Sequence, residues 1–292
     1  MVVACWCFGS MGFIMKLAYV NNPILTGIDV LLVRSWIMLP VYYIIAKFLK
    51  VNLIKIKEWH FAVLLFRCIT GAIGMSMLFI SIKLLPTSIA FMIFNLNPLF
   101  VTLFAFWWLS EELKYVNAFW AFGAFGGVIL VAYGRKDETT FDMSEIIAIG
   151  IWLGAAFLCS LAVASMRRLN QLVHYIFSPY YLWIMCILWC LWYYIYDQSY
   201  INIQHYNEWD WIFLSTAGWF SLVGQLLLSL AFKYSNASSA APLLYINWLF
   251  NIFADLFYFK LEFYYCDLGG AGVITVWVFI PLLMLIIDHH FH

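Results

Sequence analysis

Charged residues are scarce in this 292-residue chain, at 10% of the sequence, and its 15 basic and 15 acidic residues cancel. Soluble domains carry roughly 25% charged residues, so the composition excludes a water-exposed globular surface. The formal net charge of zero also excludes a polyelectrolyte surface, so nucleic acid is not a predicted partner. Hydrophobic residues make up 66% of the sequence, which predicts an all-α integral membrane protein in contact with the lipid bilayer.

Catalytic and cofactor motifs are also missing. The sequence contains no G-x-S-x-G, no H-E-x-x-H and no Walker loop, so it predicts neither an enzyme nor an ATP-driven mechanism. The seven cysteines lie in or beside apolar stretches and lack the spacing of a disulfide scaffold or a zinc site. We interpret them as small hydrophobic residues, and we predict no cofactor and no metal.

Ten stretches are long and apolar enough to cross a bilayer, which takes about 20 residues. They cover approximately residues 2–20, 24–47, 59–82, 86–109, 115–134, 145–166, 174–196, 209–232, 236–259 and 265–287. An even number of spans places both termini on one side of a multi-pass protein. Eight basic residues flank that side against five on the other, which favours cytoplasmic termini.

A stretch beginning at Lys83 recurs 150 residues further along the chain without a gap. The identical pairs include Lys83–Lys233, Ser88–Ser238, Ala90–Ala240, Asn97–Asn247 and Glu112–Glu262. Extending the same offset backwards adds Gly74–Gly224 and Leu78–Leu228. Internal repeats in hydrophobic sequence are typical of secondary transporter folds. Because each copy holds five spans, the second copy enters the membrane from the opposite side. The sequence therefore predicts two inverted repeats, residues 1–134 and 145–292, joined by a loop at 135–144.

The run from LLFRCITG to GGVILVAYG resembles the repeat of the EamA branch of the drug/metabolite transporter superfamily, which is related to solute carrier family 35. Its landmarks are Arg67, Ala90, Asn97-Pro98, Glu112 and a glycine-rich fifth span. The second copy matches more loosely, and Trp248 stands where the first copy has Pro98. The resemblance implies ten helices, with helices 1–4 and 6–9 around a central cavity and helices 5 and 10 peripheral. Family members carry diverse metabolites, so it implies no particular solute.

Two arginines lie deep in the predicted spans. Arg34 is about ten residues into the second span and Arg67 about eight into the third, which places Arg34 about 15 Å deep. A lipid-facing arginine at that depth costs about 2.5–3.5 kcal/mol, so each is expected to face a cavity or a buried partner. A bound anion or carboxylate substrate is one such partner. The alternative is that each arginine bonds backbone carbonyls and only locks the helices together.

Polar residues of the fourth, eighth and ninth spans are further candidates for substrate binding. Asn97 and Asn247 both fall near the membrane midplane, and Pro98 predicts a bend that frees backbone. The other candidates are Asn95, Gln225, Tyr245 and Asn251. Hydrogen bonding between helices is an equally weighted alternative for the asparagines. Asp255, on one face with Asn247 and Asn251, is a candidate for proton coupling or a gate.

Lys16 and Asp29 lie near the non-cytoplasmic end of adjacent spans, and we predict a structural ion pair between them. Glycine clusters in spans 5 and 10 permit close helix approach. They predict either a homodimer seam or tight packing within one chain, and we favour the second.

The sequence as a whole predicts a secondary transporter that moves a small polar or anionic metabolite by alternating access. The alternative is a structural or assembly subunit of a larger membrane complex that transports nothing. Polar residues near the midplane argue against this alternative, whereas the scarcity of acidic groups favours it.

Overall fold

A computed structural model describes residues 1–53, 58–84, 97–109, 143–197 and 205–234, with single positions between 119 and 130 and between 243 and 280. The long described segments form seven helices and contain no strand, which confirms the all-α prediction. The helices are α1 (Val2–Asn21), α2 (Gly27–Phe48), α3 (Glu58–Leu84), α4 (Asn97–Leu109), α5 (Met143–Leu172), α6 (Phe177–Asp197) and α7 (Glu208–Tyr234).

Two helices begin with polar caps. Thr26 caps α2 in a capping box: its hydroxyl accepts from the Asp29 N–H at 3.2 Å, and the Asp29 carboxylate accepts from the Thr26 N–H at 3.0 Å. At the start of α7, the Asp210 carboxylate accepts a hydrogen bond from the Asn207 N–H at 2.9 Å. Both carboxylates satisfy backbone donors that a helix start leaves without intrahelical partners.

Five of the described helices are long and apolar enough to cross a membrane. These spans are Val2–Asn21, Gly27–Phe48, His60–Ile80, Gly150–Leu172 and Glu208–Tyr234. The helix α6 is not among them because its many tryptophans and tyrosines lower its mean hydropathy, although its 21 residues rise about 31 Å. Large apolar side chains such as Trp36, Phe48 and Trp107 are exposed on the outside of the bundle. The chain is an integral, multi-pass membrane protein.

The helix bounds repeat along the chain. The helix α2 begins at residue 27 and α6 at residue 177, which is 150 positions later. The helix α3 covers 58–84 and α7 covers 208–234, again at an offset of 150. This is the offset at which the sequence repeats.

Contacts between helices repeat in the same way. The helix α3 packs along α5, and its counterpart α7 packs along α1. A Cβ added at Gly74 of α3 would lie 3.2 Å from Leu158 Cβ of α5. One added at Gly224 of α7 would lie 3.3 Å from Phe8 Cε1 of α1, and residues 8 and 158 are again 150 apart. Glycine therefore permits the same close helix crossing in both places.

Two backbone carbonyls at equivalent positions accept side-chain hydrogen bonds. The Phe79 carbonyl of α3 accepts from the Tyr19 hydroxyl of α1 at 3.4 Å. The Ser229 carbonyl of α7 accepts from Asn170 Nδ2 of α5 at 2.9 Å. The first bond joins the last turns of α1 to α3, and the second joins the last turns of α5 to α7.

The glycines of predicted spans 5 and 10 meet side chains of the same chain. A Cβ added at Gly123 would collide with the Trp277 ring, and one added at Gly269 would lie 3.5 Å from Leu130 Cδ2. The Phe119 and Trp277 rings also pack edge to face at 4.7 Å. These contacts agree with packing within one chain.

Candidate functional site

Arg34 lies on α2 seven positions after its first residue, about 10 Å along the helix axis, and is 3% exposed. Its guanidinium carbon lies 5.2 Å from the centre of the Phe79 ring on α3 and 5.0 Å from the Trp183 ring on α6. In a desolvated site such cation–π contacts are worth about 2 kcal/mol or more. Arg34 Nε is buried and has no hydrogen-bond partner among the residues described. The aromatic rings therefore hold the charge without satisfying its donors.

Arg67 lies on α3 nine positions after Glu58 and is also 3% exposed. Gly71, one turn further on, provides the space for its side chain: a Cβ there would collide with Arg67 Nη1 and would lie 2.8 Å from Leu182 Cδ1. Arg67 Nε, like that of Arg34, is buried without a partner in the described part of the chain. The burial of both arginines is consistent with the prediction that they lie inside the bundle. Neither Nε bonds a backbone carbonyl of the described residues, as the alternative would require.

Tyr42 and Trp183 complete this cluster, and the sequence did not single them out as leading candidates. Both side chains are fully buried. Both guanidiniums interact electrostatically with the Tyr42 hydroxyl and the Cys186 thiol. The Tyr42 hydroxyl and Trp183 Nε1 lie near each other, but neither makes a hydrogen bond of good geometry to a described residue. The interface of α2, α3 and α6 therefore gathers four buried donors.

Asn97, at the start of α4, is bonded to α5. Its side-chain oxygen accepts from the Ser160 hydroxyl at 2.7 Å, and that hydroxyl also lies 2.6 Å from the Ala156 carbonyl. Asn97 is buried, so this bond satisfies an acceptor that water does not reach. The interhelical alternative for Asn97 therefore has direct geometric support.

Gln225, on α7, is buried against α5. Its Nε2 lies 3.8 Å from the sulfur of Met166, which also receives the Ser229 hydroxyl at 3.5 Å. Thioether sulfur is a weak acceptor, so the Gln225 amide is only weakly satisfied by this contact. Gln225 and Met166 lie between α5 and α7, whereas the arginine cluster lies between α2, α3 and α6.

Several predicted site residues lie outside the described residues: Asn95, Tyr245, Asn251 and Asp255. Asn247 is described and is half-buried. The neighbouring Leu243 carbonyl accepts a weak hydrogen bond from the Cys5 thiol of α1 at 3.3 Å. The region of the predicted ninth span therefore contacts α1.

Asp29 and Asp210 lie at the end of the bundle opposite the N-terminus and are both buried. Besides Thr26, Asp29 accepts a short hydrogen bond from the Tyr194 hydroxyl of α6. Asp210 accepts from the side-chain amides of Asn21 and Asn22 at 2.9 and 2.8 Å. Lys16 is half-buried on α1. The predicted pair of Lys16 with Asp29 stays a prediction.

The loop between α6 and α7 lies against this carboxylate region. Burial, and secondly the nearby Asp29 carboxylate, raise the pKa of Tyr206 above its ordinary value. Tyr206 therefore stays neutral at physiological pH. Within the described residues no group of three or more His, Cys, Asp or Glu side chains is placed to hold a metal ion.

These features define a class: a helical, multi-pass membrane protein with polar and charged side chains buried between its spans. Residues 1–133 match the sequence model of the EamA-like transporter family, so this part of the chain is similar to that family, as the sequence resemblance predicted. The family consists of membrane transporters of the drug/metabolite transporter superfamily. A search of curated proteins finds no match.

A solved crystal structure has the same fold over nearly the whole chain. It superposes with a TM-score of 0.78, covering 97% of this chain and 96% of the other, at 13% sequence identity. A likeness at this identity establishes the fold and says nothing about the solute. It does extend the fold beyond residue 133, where the family match ends.

Proposed function

We propose that this protein is a secondary transporter that moves a small polar or anionic metabolite across a membrane by alternating access. Its ten spans form two inverted five-helix halves, residues 1–134 and 145–292, joined by the loop 135–144. The observation that carries this proposal is the repetition of helix bounds and interhelical contacts at the offset of 150. Two related halves that cross in the membrane are the architecture of alternating-access carriers.

The solute site lies between the halves near the midplane. Arg34, Arg67, Asn97 and Gln225 are all buried polar residues of membrane helices, and such residues mark solute pathways by default. We propose that Asn95, Tyr245, Asn247 and Asn251 contribute to the same site, and that Asp255 acts in proton coupling or as a gate. Transport is driven by a solute gradient, by exchange or by proton coupling, with both termini in the cytoplasm.

A homodimer through spans 5 and 10 would use Gly126 and Gly272. Both positions are exposed, and a Cβ added at either would meet nothing within 4 Å. They therefore offer a surface on which a second chain can approach closely, whereas Gly123 and Gly269 face their own chain.

Counterflow in proteoliposomes tests the transport proposal. Vesicles that contain the purified protein and are preloaded with one metabolite should accumulate the same radiolabelled metabolite from outside. The panel comprises carboxylates, amino acids, nucleotide sugars, nucleobases and phosphorylated metabolites. Accumulation above protein-free vesicles is expected for at least one class. Absence of counterflow across the panel, with stoichiometric copurification of a membrane complex, would instead support the assembly subunit.

A reversible cross-link between the halves tests alternating access itself. A Cβ at position 74 would lie 3.0 Å from the Cys159 sulfur, a separation that suits a disulfide, so Gly74→Cys should cross-link to Cys159 on oxidation. The expected result is a loss of counterflow that dithiothreitol restores. Gly224→Cys with Cys7 provides a second cross-link, at the equivalent crossing of α7 and α1, where the two Cβ atoms would lie 3.3 Å apart.

The matched control is Gly74→Cys combined with Cys159→Ala, which keeps the packing change and removes the partner thiol. It should transport equally before and after oxidation. Full counterflow in protein that is shown to be cross-linked at both positions would contradict the movement of one half against the other.

A further inference from the structure

Four buried hydrogen-bond donors meet at the interface of α2, α3 and α6, and none of them makes a hydrogen bond of good geometry to a described residue. They are Nε of Arg34, Nε of Arg67, the hydroxyl of Tyr42 and Nε1 of Trp183. Buried polar groups in native proteins are nearly always hydrogen-bonded, so a cluster of four exceptions requires an explanation. Arginine and tryptophan side chains donate and cannot accept. A partner for this cluster must therefore bring acceptor atoms.

The charges around the cluster indicate the same kind of partner. The electrostatic neighbours of the two guanidiniums in the described structure are neutral: Tyr42 and Cys186 for both, with Cys68 and Cys159 beside Arg67. The two buried carboxylates of the described helices are bonded to other donors at the starts of α2 and α7. Two desolvated cations without a counter-charge among the described residues are strongly unfavourable, and a negatively charged partner relieves that cost.

We propose that Arg34, Arg67, Tyr42 and Trp183 bind the oxyanion group of the transported solute, a carboxylate or a phosphate, and that the two guanidiniums select dianions over monoanions. This inference rests on the proposed transport function. Both arginine side chains are 3% exposed, so the anion reaches them when the halves move.

The surroundings of Arg34 suit edge-on recognition of an oxyanion. A guanidinium binds aromatic faces through its charge and binds carboxylate or phosphate oxygens through N–H groups in its own plane. Phe79 and Trp183 supply the aromatic contacts, at 5.2 and 5.0 Å from the guanidinium carbon. They position the side chain while leaving its in-plane donors for a bidentate contact.

Thermal unfolding of the purified protein in a neutral detergent tests the anion site. The probes are succinate, inorganic phosphate and propionate at matched ionic strength. A ligand that binds the folded state raises Tm by mass action. We expect saturable rises with succinate and phosphate, at concentrations at least tenfold below any response to propionate. Arg34→Gln and Arg67→Gln should weaken the response to succinate about ten- to hundredfold, because each removes charge-assisted hydrogen bonds.

The control for the loss of a positive charge is Arg168→Gln. Arg168 lies on α5 over the Trp108 ring, outside the cluster. This variant should respond to succinate as the unmodified protein does. An equal loss of response in Arg168→Gln would show a non-specific effect of charge and would overturn the site.

Tyr42→Phe and Trp183→Phe separate ligand binding from structural support. Tyr42→Phe removes only a hydroxyl without a hydrogen bond of good geometry, so it should leave Tm without anion nearly unchanged and weaken the response to succinate several-fold. Trp183→Phe also removes ring volume from a fully buried site, so it should lower Tm without anion as well as weaken the response to succinate. A lower Tm without anion, together with an unchanged succinate response, would assign both groups a structural role and overturn the proposal.

A lipid headgroup carries the same oxyanion chemistry, so a second arm compares phosphatidylglycerol with phosphatidylcholine in the detergent. A response to phosphatidylglycerol and to none of the soluble anions would overturn the solute assignment.

Succinate counterflow separates the proposed oxyanion site from the proposed transport function. Saturable succinate binding without counterflow supports the oxyanion site and counts against transport. Counterflow of a neutral solute that Arg34→Gln leaves unchanged overturns the oxyanion site and supports transport.

Discussion

The two halves of the molecule share helix bounds and helix contacts but differ in charge. Gly74 against α5 and Gly224 against α1 are equivalent crossings, at 3.2 and 3.3 Å from their neighbours. At the offset of 150, however, Ile184 stands in the second half for Arg34 and Ala217 for Arg67. The helix bounds are therefore repeated, whereas the two buried arginines of the cluster both lie in the first half. In the proposed transporter, the repeated frame supplies the movement, and the two arginines of one half supply the selectivity.

Packing at the start of α2 and α6 differs as well. Gly27 lies against the backbone of α3, and a Cβ there would lie 2.6 Å from the Ile80 nitrogen. The equivalent position in the second half is Phe177, which is buried. In the first half, α2 therefore approaches α3 more closely than a residue with a Cβ at position 27 would allow. This close approach places Phe79 beside Arg34.

Gly27→Ala should destabilise the packing of α2 against α3, and it is the largest effect on stability that we expect. The new methyl group collides with backbone, which cannot rotate away, so the variant should lose about 3 kcal/mol of stability or fail to accumulate. Scanning fluorimetry in detergent measures the change in Tm. Gly126→Ala, where an added Cβ meets nothing, is the control and should match the unmodified protein. Equal Tm values for the two variants would contradict the close approach of α2 and α3.

Ser160→Ala and Ser10→Ala compare the halves at equivalent positions. Ser160→Ala leaves the Asn97 side-chain oxygen without its 2.7 Å bond and should cost about 1–2 kcal/mol. Ser10 bonds the Trp6 carbonyl one turn back, as Ser160 bonds Ala156. If the inverted repeat places Asn247 against Ser10, the two substitutions lower Tm by similar amounts.

The control for this comparison is Ser76→Ala, whose hydroxyl bonds the Ala72 carbonyl within its own helix. It should change Tm less than either of the other two substitutions. A Ser160→Ala protein as stable as Ser76→Ala would show that the bond between α4 and α5 contributes nothing.

Gly71→Ala and Ser221→Ala compare the position beside Arg67 with its equivalent in the second half. Both have the smallest expected effect on stability, below about 1 kcal/mol. The Cβ at position 71 displaces the flexible end of Arg67, so succinate binding should weaken about tenfold, equivalent to ~1.4 kcal/mol. Ser221 is the equivalent residue beside Ala217, and its hydroxyl has no partner among the described residues. Ser221→Ala should leave succinate binding unchanged. Weaker succinate binding in both variants would show that the effect of Gly71→Ala does not depend on Arg67.

Hydropathy predicted the helices well but placed one boundary too early. The sixth span was predicted to end at residue 166, whereas α5 continues to Leu172. The reason is tertiary: Arg167 donates to the Phe232 carbonyl and Asn170 to the Ser229 carbonyl, so polar residues continue the helix by capping α7. A hydropathy window ends where charge begins and does not register such partners.

The depth of a residue within its span identified Arg34, Arg67 and Asn97 as buried polar residues, because membrane insertion makes such residues costly wherever they occur. Gln225 was a candidate as a polar residue of the eighth span, without a depth argument. Tyr42 and Trp183 were not identified in this way. In a chain with 18 tyrosines and 15 tryptophans, no local pattern separates these two from packing residues. Their relation to the arginines depends on how α2 and α6 meet, which the sequence does not specify.

The pairing of α1 with α7 has a consequence for biosynthesis. The surface around Phe8 packs against Gly224, which is 216 residues further along the chain. At a synthesis rate of about 5–20 residues per second, α1 waits about 10–40 s in the membrane before that partner is made. During this interval lipid or an insertion factor must cover the face of α1 that the finished protein buries. Slower translation of the second half would lengthen this exposure and give quality-control proteases more time to act.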